Sequence, residues 1–320
     1  MKILIVQIGR IGDTVLTTPM FRAVADHLPG AAIHVLASPR GFPVLRGNPH
    51  IKKVIVYRKD PISLLFIFLR LRLAGYDWLI DPKDHPSREG ALLARICRAK
   101  NKVGYNSEGG KTFSFGIPSQ NENAALHAVT RNLACLGALG VSCNTDCRPE
   151  LFPDARLARK IRDSFPQDAA KTVLLNISAG NASRYWIFEK WAQAAAFCLA
   201  RGHRVLVAYQ PSDSRPARAL HDLQPGVILY HSSTIGEIIA LMPLVNLVVT
   251  LDTSVVHIAS AFDVPQIALF PDVEWNLKKF RPLSSLSVVV QPEKGEMVST
   301  IPVERVIGEI EKLNISNHVL

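Results

Sequence analysis

The feature that most constrains how this chain can fold is a regular alternation of short apolar runs with segments of helical spacing. Residues 3–6 form a continuous apolar run of the kind found in parallel strands that are buried on both faces. Similar runs recur along the chain, and a segment with a helical pattern separates most of them from the next. This alternation is typical of an open parallel sheet with helices on both faces.

The alternation occurs twice, which predicts two domains. In the first half we expect strands at 3–6, 33–36, 54–57 and 78–81, and helices at 14–27, 62–74, 90–98 and 124–137. The pattern restarts with strands at 173–177, 204–208, 227–230, 247–251 and 266–270, and with helices at 189–201, 235–242, 255–262 and 303–313. The sequence therefore predicts an α/β fold with two Rossmann-like doubly wound domains, residues 1–155 and 156–320. A ligand-binding cleft is expected between them, at the carboxyl ends of the strands.

The composition excludes several classes of protein. Hydrophobic residues make up 48% of the chain, which excludes intrinsic disorder. The longest apolar run, residues 62–69, is far shorter than the ~20 residues that span a bilayer, and the N-terminus has no signal-peptide cleavage site. Five cysteines is an odd number, which argues against a disulfide framework. We therefore expect a cytoplasmic protein.

The net charge of +10 is concentrated in the first half of the chain. Residues 1–150 contain 20 Lys and Arg against 11 Asp and Glu, whereas residues 151–320 contain 17 against 16. The first half is therefore expected to meet an anionic partner, such as a lipid headgroup or an acidic sugar. Nucleic acid is disfavoured because the cations are scattered and no reader motif is present. A basic surface that only aids solubility remains the alternative.

A glycine-containing turn, residues 9–13, follows the first predicted strand. Gly9 and Gly12 permit a tight turn before a helix, but the third glycine of a dinucleotide-binding fingerprint is missing. Asp13 stands where the N-cap of the helix is expected. A single carboxylate at the mouth of a cleft could also act as a general base. The residues alone leave both roles open.

Two polar loops in the second half suit a nucleotide. Ser178, Ala179 and Gly180 follow a predicted strand and offer hydrogen-bond donors. Arg184 adds a cation that can contact phosphate oxygens. Asp213 follows the next strand, where it could bind a ribose hydroxyl or be an ordinary loop carboxylate.

A third polar segment follows the strand predicted at 247–251. Asp252, Thr253 and Ser254 are suited to capping the next helix, whose free N–H groups could bind phosphate. His257 lies one turn into that helix, where it could reach the same anion or simply be solvated.

Four motifs give the chain a resemblance to a known family. IGRIGDTVLTTP at 8–19 and DTSVVHIASA at 252–261 are the specific ones, and HAVTRN at 127–132 and RYW at 184–186 add weaker support. With these motifs the chain resembles the lipopolysaccharide heptosyltransferases of glycosyltransferase family 9, over residues 1 to about 270. The resemblance implies the GT-B fold, in which the first domain binds the acceptor and the second binds a nucleotide sugar.

The resemblance also implies an activity. The family transfers a heptose from ADP-heptose to Kdo or heptose in the inner core, with inversion and without a metal or other cofactor. Asp13 would be the catalytic residue. The residues expected to bind the donor are Ser178, Ala179, Gly180, Arg184, Asp213, Asp252, Thr253, Ser254 and His257. Those expected to bind the acceptor are Gly12, Thr14, His127 and Arg131.

The chain departs from the family pattern in three places. Arg184 stands where the family often has Lys, Ser254 stands where it usually has Gly, and Pro271 begins a segment that is commonly Gly-Pro-Thr. Transfer of another nucleotide sugar, or to another glycan, therefore remains an alternative. So do an enzyme that hydrolyses or epimerises a nucleotide sugar and a non-catalytic protein that binds anionic ligands. No metal site is expected, because the acidic pair most similar to a metal-binding motif, at 81 and 84, has Lys83 between its members.

The apolar segment 61–73 allows two interpretations. It is predicted to be a core helix of the first domain, because helices in doubly wound sheets are often this apolar. It also follows the cations Lys52, Lys53, Arg58 and Lys59. The lipid-linked acceptor implied by the resemblance therefore favours a reversible, salt-sensitive contact of this domain with an anionic membrane surface.

Overall fold

A computed structural model describes residues 1–106, 108, 110–143, 147–166 and 168–313. It divides the chain into two compact units. The first unit holds Met1–Phe152 and Lys278–Phe280, and the second holds Pro153–Leu277 and the chain from Arg281 onwards. The main division thus falls between Phe152 and Pro153, whereas the sequence places the boundary between residues 155 and 156.

The first unit is built around a parallel sheet. Its strands are β1 (Lys2–Gln7), β2 (Ala32–Ala37), β3 (Ile51–Val56), β4 (Tyr76–Ile80), β5 (Ala99–Gly104) and β6 (Phe115–Gly116). Its helices are α1 (Ile11–His27), α2 (Phe42–Leu45), α3 (Pro61–Leu73), α4 (Arg88–Ile96) and α5 (Ala128–Ala134). The strand order is β3-β2-β1-β4-β5-β6, so the chain winds outwards from β1 in one direction and from β4 in the other.

The second unit repeats this topology. Its strands are β7 (Thr172–Asn176), β8 (Arg204–Tyr209), β9 (Val227–His231), β10 (Leu247–Leu251), β11 (Gln266–Leu269) and β12 (Ser287–Val290). Its helices are α6 (Ala155–Ser164), α7 (Phe188–Ala200), α8 (Ser214–Leu223), α9 (Ile235–Leu241), α10 (Ser254–Ala261), α11 (Glu274–Phe280) and α12 (Val303–Lys312). The last three residues of α11 belong to the segment that is grouped with the first unit. The order β12-β11-β10-β7-β8-β9 places β7 and β10 at the centre. Two parallel sheets with flanking helices confirm the predicted α/β class.

Each unit has its own core, formed where apolar strands meet apolar helix faces. In the first, Leu4 and Leu79 pack with Ile67 and Leu71 of α3. In the second, every residue of β7 and β10 is buried, as their largely apolar sequences predict. Removal of each such side chain from water contributes about 1.5–3 kcal/mol, so these central strands hold the loops that follow them in fixed positions.

Helix α3 differs from the prediction that it is a core helix. Only Ile67 and Leu71 are buried, and most of the other apolar side chains of the helix are exposed. The reason is geometric, since a helix on the face of a sheet buries only one of its sides. With 13 residues α3 is also short, and no helix in the described part of the chain has the length and apolarity needed to cross a membrane.

Candidate active site

Both sheets reverse their winding at the same place in the topology. In the first sheet β1 lies beside β4, and in the second β7 lies beside β10, although other strands separate them in the chain. In doubly wound folds, ligands bind at the carboxyl ends of the two strands that flank such a switch point. Most of the residues predicted for the site lie in the loops, or in the first turns of the helices, that follow these four strands.

Asp13 follows β1 and lies in the first turn of α1, not at its N-cap. The helix begins at Ile11 because the Arg10 carbonyl already accepts from the Thr14 N–H at 3.1 Å. Asp13 Oδ2 nevertheless caps the helix from within, since it accepts the backbone N–H of Arg10 at 3.1 Å. Its Oδ1 has no hydrogen-bond donor among the described residues, and the side chain is half-buried. One oxygen thus stabilises the helix and the other remains available.

Close packing fixes the loops around Asp13. A Cβ on Gly9 would lie 2.9 Å from Gln7 Oε1 and 3.1 Å from Asp13 Oδ2. Gly41, in the loop after β2, is equally confined, because a Cβ there would lie 2.8 Å from Thr14 Oγ1. Glycine at both positions lets the backbone approach the start of α1 closely.

The residues predicted to bind the acceptor are mostly buried. Gly12 is half-buried, whereas Thr14 is fully buried and its hydroxyl donates to the Arg10 carbonyl at 3.0 Å. His127 is the N-cap of α5, where its Nδ1 accepts the Val129 N–H at 3.2 Å. Such contacts support neighbouring backbone and expose little of these side chains to a ligand.

Arg131 forms a buried ion pair in the first unit. Its Nη1 lies 2.5 Å from Asp84 Oδ2, and its Nε donates to the Leu126 carbonyl at 3.0 Å. Burial alone would raise the pKa of Asp84, but Arg131 and other neighbouring cations lower it, so the net pKa lies below the usual value of 3.8. The pair lines a cavity of about 120 Å³ together with Asn123 and Ile117. The sequence motifs point to Arg131 as a site residue but not to Asp84, its partner in the loop after β4.

Among the predicted donor residues, one group surrounds Asp213. The buried Asp213 Oδ2 accepts from Ser178 Oγ at 2.5 Å, and Ser178 Oγ accepts the Gln210 N–H at 2.8 Å. Tyr185 Oη lies 3.1 Å from Asp213 Oδ1 and 3.0 Å from the Ala179 carbonyl. The structure thus joins the loops after β7 and β8. It also adds Tyr185 to the site, a residue that the sequence marks only as the middle of the RYW motif. Gly180 is exposed beside this group.

A second group surrounds Asp252. Arg184 Nη1 lies 2.7 Å from Asp252 Oδ2, and Asn276 Nδ2 donates to the same oxygen at 2.7 Å. Burial raises the pKa of Asp252, although Arg184 and Asn276 oppose that shift. The predicted phosphate ligand Arg184 is therefore already paired through one nitrogen. Its Nη2 and Nε have no partner among the described residues. The sequence does not predict Asn276 as a site residue, because nothing local marks an asparagine in α11 as a partner of the loop after β10.

The helix that begins after Asp252 has the predicted cap. Thr253 is the N-cap of α10, and its Oγ1 accepts the Val255 N–H and the side-chain amide of Asn176, both at 3.2 Å. Ser254 is the first helical residue and is half-buried. His257 is 5% exposed, so a solvated histidine is excluded.

This arrangement defines a class of protein. Two units of the same doubly wound topology, each with a parallel sheet and polar residues at its switch point, are the architecture of the GT-B glycosyltransferases. The sequence profile of glycosyltransferase family 9 (heptosyltransferase) matches residues 66–300, more than half of the chain. The chain therefore belongs to glycosyltransferase family 9, and it is a glycosyltransferase.

Individual relatives agree with this assignment. The chain is 25% identical over 335 residues to lipopolysaccharide heptosyltransferase 3 of Escherichia coli, with 94% of this chain and 96% of the relative covered. The crystal structure of a glycosyltransferase family 9 protein from Veillonella parvula matches with a TM-score of 0.88, at 19% identity and with 99% and 98% of the two chains covered. E. coli heptosyltransferase WaaC, solved with ADP-2-deoxy-2-fluoro heptose, matches with a TM-score of 0.77, at 18% identity and with 98% and 100% covered.

Proposed function

We propose that this protein is an inverting heptosyltransferase that moves a heptose from ADP-heptose to the inner core of lipopolysaccharide, with Kdo or heptose as the acceptor. The observation that carries the proposal is the Asp13 carboxylate after β1, which has one oxygen engaged by the helix and one available for a proton. Membership of the family and similarity to lipopolysaccharide heptosyltransferase 3 support the choice of sugar and acceptor.

The second unit binds the nucleotide sugar in this proposal. Arg184 balances the buried charge of Asp252, so a diphosphate can approach without facing an uncompensated carboxylate. The remaining N–H groups of Arg184 and the Ser254 amide at the start of α10 then contact the diphosphate, because the next two amides of the helix are already bonded to Thr253. Asp213, which the Ser178 hydroxyl holds in place, accepts a hydrogen bond from a ribose hydroxyl of the donor. The ADP-heptose analogue in the structure of E. coli WaaC supports a donor of this class.

The reaction follows from these positions. Asp13 takes the proton from the acceptor hydroxyl while that oxygen attacks the anomeric carbon of the donor. ADP departs from the opposite face of the sugar, and the configuration at that carbon is inverted. Negative charge develops on the leaving diphosphate, where Arg184 and the N-terminus of α10 stabilise it. We assign this stabilisation to the protein alone, without a metal ion.

The first unit binds the acceptor in this proposal. The backbone around Gly12 contacts the acceptor sugar, and the buried Thr14, His127 and Arg131 act by holding that backbone and the α5 segment in place. The acceptor is a lipid, so the protein works in the cytoplasm as a peripheral protein at the anionic face of the membrane. The excess positive charge of residues 1–150 supports this location.

The test of the proposal is a direct search for the product. The purified protein is incubated with ADP-heptose and a truncated core lipid, and mass spectrometry should detect one added heptose, with inverted anomeric configuration by NMR. Other nucleotide sugars and core acceptors are tested in parallel. A product only with another sugar would identify the alternative transferase, and release of ADP without any glycosylated product would identify a hydrolase.

The metal-free mechanism has a separate test. Transfer should continue at an unchanged rate in excess EDTA. A loss of activity that added Mg²⁺ restores would overturn this part of the proposal.

A further inference from the structure

Helix α3 has an apolar stripe on its exposed side. The stripe consists of Ile62, Leu65, Phe66, Leu69 and Leu73, which are between 50% and 81% exposed. Their spacing of three, four, seven and eleven residues places them in one row along the helix. Contiguous exposed apolar surface of this kind marks an interaction site in a soluble protein.

The stripe lies opposite the side of α3 that packs on the sheet. Ile67 and Leu71 point into the core of the first unit, about half a turn away from the stripe. The helix is therefore apolar on two opposite sides, although one side is sufficient to attach it to the sheet. No described residue covers the other side enough to bury it.

Cations border the stripe. At about 3.6 residues per turn, Arg70 and Arg72 project to its two sides, and neither forms an ion pair within the described part of the chain. Arg58 and Lys59 precede the helix. Asp60, next to them, is the N-cap of α3 and stays charged, because the Ser63 N–H that it accepts lowers its pKa. Lys59 pairs with Glu89 at 3.0 Å, so Arg70 and Arg72 are the cations that border the stripe without an acidic partner among the described residues. Residues 51–100 as a whole contain 11 Lys and Arg against 5 Asp and Glu.

We propose that the stripe on α3 inserts between the lipids of an anionic membrane, with the helix lying in the plane of the surface. An apolar row bordered by cations matches an acyl layer bordered by anionic headgroups. Thirteen residues give a helix of about 20 Å, which is long enough to lie in the interface and too short to cross it. A second copy of the chain is a poorer occupant, because pairing two stripes would bring like-charged arginines together. The inference extends the proposed function, from which it takes the lipid nature of the acceptor.

The test measures binding of the full chain to vesicles. The parent should sediment with phosphatidylethanolamine–phosphatidylglycerol vesicles at low salt and remain in the supernatant with phosphatidylcholine vesicles. Leu65→Gln combined with Phe66→Gln should reduce the bound fraction at least tenfold. Leu223→Gln, on the similarly exposed (57%) Leu223 of α8, is the matched control and should bind like the parent. Equal binding by the parent and the double variant would overturn the proposal.

Insertion can be distinguished from attraction at the surface. In Phe66→Trp, brominated lipids should quench the new fluorescence more strongly than they quench the tryptophans of the parent. Arg72→Glu should weaken vesicle binding as well, which provides a second variant in case the glutamine substitutions prevent folding. If brominated lipids quench the Phe66→Trp variant no more than the parent, the stripe does not enter the bilayer. If the parent is a dimer in solution that the double variant dissociates, and neither binds vesicles, the occupant is a second copy and the proposal is wrong.

An activity assay separates this inference from the proposed function. With a delipidated, water-soluble acceptor, the double variant should transfer heptose at the parental rate. If the parent transfers no heptose but binds vesicles through the stripe, the proposed function fails and the docking surface stands. If the parent transfers heptose and the double variant binds vesicles as well as the parent does, the proposed function stands and the docking surface fails.

Discussion

At the scale of single residues, Asp13 shows how one carboxylate can have two roles. The sequence leaves helix capping and proton transfer as alternatives for it. In the structure, the capping bond uses Oδ2 alone and comes from the first turn of α1, so Oδ1 remains available. The two interpretations are therefore compatible, and a substitution that preserves one oxygen can separate them.

Asp13→Asn should abolish heptose transfer while it preserves the fold and the affinity for ADP. The amide oxygen can still accept the Arg10 N–H, but the side chain can no longer take a proton. Asp13→Ala should lose transfer and, in addition, about 0.5–2 kcal/mol of unfolding free energy, because the capping bond is removed. Turnover with the soluble acceptor, ADP titration calorimetry and urea unfolding measure the three quantities. Substantial activity in Asp13→Asn would leave Asp13 with a capping role only.

Arg184→Ala should weaken ADP binding by about 10- to 150-fold, the effect of losing a charge-assisted contact worth about 1.5–3 kcal/mol. The loss also leaves Asp252 without its cation beside the incoming diphosphate. Arg184→Lys should recover part of the affinity, since a cation remains. The control is Arg201→Ala, which removes an ion pair with Glu311 at the end of α7. Calorimetric affinities for Arg184→Ala equal to those of the parent would exclude Arg184 from the donor site.

At the scale of helices and strands, the sequence predicts best where apolar runs are continuous. The strands at the centre of both sheets lie within a few residues of their predicted positions, because burial on both faces requires an unbroken apolar run. Strand β5, AKNKVG, was missed because an outer strand with three polar residues lacks that signal. Helix α6 begins at Ala155, where the sequence predicts a domain boundary.

For a related reason, the sequence does not decide whether the second apolar side of α3 is covered. An apolar helical pattern has the same appearance in sequence whether the second apolar side is covered or not. Only the packing of the neighbouring elements distinguishes the two, and that packing depends on contacts distant in sequence. The same limit applies to the candidate site: single residues were selected from motifs, whereas the pairs Asp84–Arg131 and Asp252–Asn276 join segments far apart in the chain.

Asp81, directly after β4, makes stability depend on pH. Burial raises its pKa from 3.8 to about 6, so the folded protein holds this proton more tightly than the unfolded chain does. Stability is therefore lost as the pH rises from about 4 to 6, by about 3 kcal/mol at most. Asp81→Asn removes this dependence, so its unfolding free energy relative to the parent should be higher at pH 8 than at pH 4.

Asp77, which lies within β4, is the control. Its hydrogen bond from Lys100 lowers its pKa, so its contribution is present at high pH and is lost as the pH falls. Asp77→Asn should therefore show the opposite trend, with a cost at pH 8 that is largely kept at pH 4 and lost at lower pH. Urea unfolding at both pH values measures all three proteins. A difference between Asp81→Asn and the parent that is the same at both pH values would contradict the role of Asp81.

At the scale of the whole molecule, charge and site residues are divided between the units. The excess of cations lies in residues 1–150, and the predicted donor residues all lie in the second unit. The sequence predicts this division because composition and motifs are properties of continuous segments, unlike contacts between segments. It agrees with a basic unit for an anionic, lipid-linked acceptor and a second unit for the nucleotide sugar.

Hydrogen exchange tests the division of roles. Saturating ADP should slow amide exchange in the loops at 177–187, 210–213 and 252–255, because these segments contact the nucleotide in the proposed function. The loops at 8–13 and 38–41 in the first unit should exchange at an unchanged rate. Adenosine, which lacks the diphosphate, is the control and should protect 252–255 less. Protection confined to the first unit would reverse the proposed roles.

The grouping of Lys278–Phe280 with the first unit affects how the protein could be recombined with its relatives. Each unit has its own sheet and core, so an exchange of the second unit between family members is a route to chimeric enzymes. A single crossover between Phe152 and Pro153 would give such a chimera a foreign segment at 278–280. A sound design needs two further crossovers, so that these three residues come from the same parent as residues 1–152.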